Sequence, residues 1–75
     1  MIPKHIEEAF DRYVNCRISP GDFLQAVLSN DLKGSFMLAD DENRENLFDI
    51  VSYVYNELPF NCQGSPEKVK KWLRI

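Results

Sequence analysis

Apolar residues recur at spacings of three and four along most of this 75-residue chain. That is the period of an α-helix with one buried side. The rhythm is longest over 41–58, where neither Gly nor Pro interrupts it and Leu47, Ile50, Val51, Val54 and Leu58 fall towards one face. Asp40 or Asp41 supplies an N-cap, and Asp41, Glu42 and Glu45 sit near the positive end of the helix dipole. Residues 50–55 are rich in β-branched and aromatic side chains, which leaves a strand as the competing reading. The three-and-four spacing, the helix-forming flanks and the stop at Pro59 favour a helix.

The other segments are shorter. Pro3 suits a first turn, and Ile6, Ala9, Phe10, Tyr13 and Val14 then make a stripe that predicts a helix over about 4–15. Ser19 followed by Pro20 reads as a cap and helix start, with Phe23, Leu24, Val27 and Leu28 as the inward stripe. Asn30 tolerates a left-handed end, so only a tight kink is expected before a third helix capped by Asp31. Leu32, Phe36 and Ala39 would be its inward side, although Gly34 weakens it. Ser65, Pro66 and Glu67 repeat the cap–proline–acid signal before a last helix carrying Val69, Trp72 and Leu73, with Trp72 expected against the 41–58 helix. The pattern predicts one all-α domain over 1–75: a small bundle of four to five short helices packed around a central helix at about 41–58.

Composition adds a core and a charge gradient. A hydrophobic fraction of 44% with nine aromatics argues against disorder. Cys16 and Cys62 form no CxxC motif, and no apolar run approaches the roughly 20 residues of a membrane span. A soluble chain with reduced thiols is the expectation. The net charge of −3 is unevenly spread: 22–65 holds eight acidic residues against two basic, while 66–75 holds four basic against one acidic.

Few residues suggest chemistry. The acidic run from Asp40 fails the EF-hand register, because its sixth position is Glu45 and its twelfth is Val51. His5, Cys16 and Cys62 are three scattered ligands where structural zinc wants four at paired spacings. No spacing brings His5 to a cysteine as a base. The expectation is a protein that is not an enzyme and uses no metal or cofactor. What remains is surface. Tyr13, Phe48, Tyr53, Tyr55 and Phe60 exceed what one stripe can hide, and Phe48 and Tyr55 share a helical face. Either neighbouring helices cover that face, or it is an interface anchor. Asp41, Glu42, Glu45, Phe48 and Tyr55 are therefore the candidate partner-binding residues. Lys68, Lys70, Lys71 and Arg74 beside Trp72 offer an alternative, a nucleic-acid-associated regulator, against which the acidic balance weighs. A structural homodimer is a third reading.

Three stretches also resemble segments shared by a known group. The segment from Pro20 through Asp31-Leu32, the segment Asn43 to Asn56 with its Leu-Phe-Asp-Ile-Val-Ser-Tyr-Val-Tyr core, and Gly64 to Leu73 are similar to small, mostly uncharacterised proteins of phages and prophages. Members often read Cys-Trp-Gly-Ser-Pro before the last helix, where this chain has Cys62-Gln63-Gly64-Ser65-Pro66. The resemblance implies a phage-encoded accessory protein working in the host bacterial cytoplasm. It implies a bacterial host protein as partner, such as a defence nuclease complex, bound stoichiometrically and inhibited. It supplies no catalytic residues.

Overall fold

The computed structural model describes residues 2–74. Its elements are α1 (Lys4–Cys16), α2 (Asp22–Leu28), α3 (Leu32–Leu38), α4 (Asp41–Glu45), α5 (Leu47–Glu57), a 3-10 turn (Phe60–Cys62) and α6 (Pro66–Leu73). The fold is an all-α bundle, with no strand among the described residues. The 50–55 segment is helical, as its spacing predicts.

Three caps form where expected. The Asp31 carboxylate accepts from Gly34 N–H at 2.9 Å, Asp40 from Asn43 N–H at 2.8 Å, and Ser65 Oγ from Lys68 N–H at 3.2 Å. Each satisfies a backbone donor that the first helical turn leaves open. The α2–α3 corner is equally local. Asn30 is left-handed (φ 63°), its N–H donates to Val27 O at 3.2 Å, and Asp31 N–H donates to Ala26 O at 2.9 Å. These two bonds make a Schellman end, so α3 begins immediately after α2.

Two local expectations are corrected. Ser19 does not cap α2; Gly21 holds that position without a side-chain bond. Ser19 Oγ instead accepts from Gln25 Nε2 at 3.0 Å. The expected 41–58 helix divides at Asn46, where the backbone relaxes to φ −105°, ψ 10°. Asn46 Nδ2 donates to Glu42 O at 2.9 Å, and its amide N–H shares that carbonyl at 3.1 Å. A short amide side chain competing for the helix ladder is the physical cause of the break.

Burial is shared among α1, α2 and α5. Ile50 and Val54 of α5 are buried, and α2 buries Phe23, Leu24, Ala26, Val27 and Leu28 while touching α3, α5 and α6. Ile6, Phe10 and Tyr13 complete the core from α1, with Phe10 stacked on Tyr53 at 5.6 Å between ring centroids. Tyr13 is fully buried, and its hydroxyl donates to Cys62 O at 2.7 Å, tying α1 to the 3-10 turn. Gln63 is buried beside the end of α5. Its carboxamide donates to Val54 O at 2.7 Å and Leu58 O at 3.2 Å, closing the end of α5. Gly64 adopts φ 111° and donates its N–H to Leu28 O at 2.7 Å. Trp72 is anchored on α1, with Nε1 donating to Tyr13 O at 2.9 Å.

Candidate functional site

Helix α3 is packed with its large side chains outward. Only Ser35 of this helix is buried, and Ala39, just beyond it, is buried too. Leu32 and Phe36, expected in the core, are 73% and 57% exposed, and Met37 beside them is 77% exposed. The cause is the close approach of α3 to α2. After a corner of one left-handed residue, the near side of α3 has room only for small groups. Ser35 fits because its hydroxyl turns back to Asp31 O at 2.6 Å.

The exposed side continues onto α5. Leu32, Lys33, Phe36 and Met37 line a shallow groove whose far wall is Leu47, the first residue of α5. One position on, Phe48 is 83% exposed, and Tyr55, two turns later, is 67% exposed. Neighbouring helices do not cover this face. Val51, expected on the buried side, is exposed between them. Tyr55 leans on exposed Phe60 with ring centroids 6.3 Å apart. Of the five aromatics judged too many for one stripe, Tyr13 is buried, Tyr53 is half-buried, and Phe48, Tyr55 and Phe60 face solvent. Apolar patches of this kind on a small protein mark interaction sites.

The border is acidic. Asp41, Glu42 and Glu45 of α4 are exposed. Arg44 links border and patch: its guanidinium lies 5.6 Å from the Phe36 ring centroid and its Nη1 3.4 Å from Asp41 Oδ1. Both contacts are exposed and weak. His5 Nε2 stands 3.9 Å from Glu42 Oε1, with both side chains exposed. The five predicted partner-binding residues thus lie on α4 and α5. Sequence reasoning missed Leu32, Phe36 and Met37. The available signal was Ser35, a small residue on the side of α3 that packs inward.

The thiols are far apart in character. Cys16 is exposed. Cys62 is buried, its Sγ donates to Pro59 O at 3.2 Å, and burial pushes its pKa up, which disfavours the thiolate. No group of three His, Cys, Asp or Glu among the described residues could hold a metal ion. No helix among them is long and apolar enough to cross a membrane.

The predicted basic residues Lys68, Lys70, Lys71 and Arg74 are all exposed along α6 and its C-cap. Lys68 Nζ reaches Phe60 O at 3.4 Å, which sets it beside the aromatic end of the patch. Lys71 and Arg74 line a separate groove with Arg17, Asn61 and Trp72. Compared with protein-family models, curated proteins and solved structures, the chain matches none of them.

Proposed function

We propose that this protein is a stoichiometric protein-binding module that docks a partner on the α3–α5 apolar face. The observation that carries this reading is the exposure of Leu32, Phe36 and Met37 on α3, in a groove that reaches Leu47, together with that of Phe48 and Tyr55 on α5. Rigid aromatic and Met side chains of this sort supply the anchors of protein interfaces. The border selects the partner's chemistry. A basic-rimmed apolar surface complements it. The similarity to phage accessory proteins directs attention to host defence complexes, with occlusion of a working surface as the means of inhibition.

The test pairs the wild-type protein with a Leu32→Lys, Phe48→Lys variant, both verified as folded by circular dichroism. Each is used to capture partners from bacterial lysate, and the captured protein is purified and mixed back. A complex of defined stoichiometry by light scattering, formed by the wild type and lost in the variant, supports the reading. Equal retention by both proteins refutes the assigned surface. Doubled mass of the wild type alone would replace the reading with the homodimer.

A further inference from the structure

A second surface is cationic and is built from two distant parts of the chain. Arg17 closes α1 and lays its guanidinium carbon 3.5 Å from the centroid of the Trp72 ring. Its Nη1 donates to Trp72 O at 3.4 Å, 55 positions away in sequence. Lys71 and Arg74, one turn apart on α6 and its cap, line the same groove, with Asn61 beside them. Among the described residues, no carboxylate lines it. The ion pairs among the described residues join His5 to Glu42 and Arg44 to Asp41, and neither involves these three cations.

Cations at a helix C-terminus favour its dipole, which accounts for Lys70 and Lys71. The same dipole effect favours the charge of Arg17 at the end of α1 but does not account for the seating of its guanidinium on Trp72, 55 positions away. Arg17 adopts left-handed backbone (φ 57°), a conformation that costs a side-chain-bearing residue about 1 kcal/mol and that Gly fills more easily. It places a planar guanidinium on an indole and uses one of its five donors on the Trp72 carbonyl, leaving others facing the groove.

The geometry points to a phosphate-binding groove that holds the backbone of a nucleic-acid strand without reading its bases. A braced arginine fork matches phosphate oxygens, and a row of cations matches a repeating anion better than a lone carboxylate. Trp72 is not a base platform, since Arg17 covers one face and its N–H is committed to Tyr13 O. This groove shares no lining residue with the one between α3 and Leu47.

The experiment is fluorescence anisotropy of a labelled oligothymidylate titrated with the full chain across a salt series. Three phosphate contacts predict a log–log salt slope of about −2. Lys71→Glu with Arg74→Glu weakens binding by roughly tenfold or more at low salt and flattens the slope by about 1.4. Lys71→Gln with Arg74→Gln serves the same purpose should charge reversal disturb α6. Arg17→Lys keeps the charge but loses the fork and the stack, so affinity falls a few-fold while the slope stays. Leu32→Lys with Phe48→Lys leaves the remaining groove contacts in place and does not reduce binding, which separates this test from that of the apolar face. Absence of binding by folded wild type at low salt overturns the inference. So does binding indifferent to the α6 variants. Displacement of the oligonucleotide by polyglutamate at equal charge overturns it in favour of an acidic peptide.

Discussion

Phe48→Lys tests whether the exposed face contributes to folding. The ring is 83% exposed, so under a fifth of it is shielded from water. An aromatic side chain buries on the order of 200 Å² when fully covered, so roughly 35 Å² is covered here. At about 25 cal/mol per Å² that is worth about 0.9 kcal/mol. The lysine stem recovers part of that surface, and the ammonium lies one turn from Glu45 on an acidic face. The expected loss is below about 1 kcal/mol, or less than about 8 °C in Tm for a domain this size. Phe10, fully buried, is the internal control, and Phe10→Ala should lose about 3–5 kcal/mol. Urea and thermal melts followed at 222 nm read both. A loss above about 2 kcal/mol for Phe48→Lys would mean that neighbouring side chains cover the ring, and the interface argument would go with it.

Other expectations concern the joints of the bundle. Tyr13→Phe removes the hydroxyl that meets Cys62 O and strands that carbonyl in the interior, so chemical denaturation should show a loss of about 1–3 kcal/mol. The same phenol makes the fold alkali-sensitive. Burial pushes the pKa of Tyr13 far up, Tyr53 rises through burial and then the nearby Glu7, Asp11 and Glu57, and the buried Cys62 thiol rises too. The folded state holds these protons longer than the unfolded chain. Their contribution is therefore whole below about pH 8, and each group removes up to about 1.4 kcal/mol per pH unit above its unfolded pKa. Urea midpoints between about pH 9 and 11 should fall, and less steeply in Tyr13→Phe. Gly64→Ala meets no steric obstacle, since the nearest atoms to an added Cβ are 3.7 Å and more away on Lys68. Its backbone at φ 111° should nonetheless cost about 1–2 kcal/mol, seen as a lower Tm.

Most of the scaffold is legible in the residues because its signals are local. Asp31, Asp40 and Ser65 announce helix starts by chemistry that acts over three positions, and Asn30 announces the corner in the same way. The side that α3 turns inward is not local. Leu32 and Phe36 at i, i+4 read as a core stripe, and only the nearness of α2 reverses that choice in favour of Ser35, while Ala39 is buried as expected. Asn46 was similarly opaque: its carboxamide bond to Glu42 O is a choice between backbone and side chain that spacing does not reveal. The cationic groove depends on Arg17 and Trp72 meeting across 55 positions, which no pattern within one helix can disclose.

The inside-out seating of α3 has a consequence for how this protein can change. Side chains on its outer surface are released from the demand of close packing that constrains Phe10 or Ile50. Replacements there alter what the molecule recognises while leaving its folding equilibrium almost where it was. A lineage pressed to follow a shifting target could rewrite Leu32, Phe36 and Met37 one at a time, each step viable on its own.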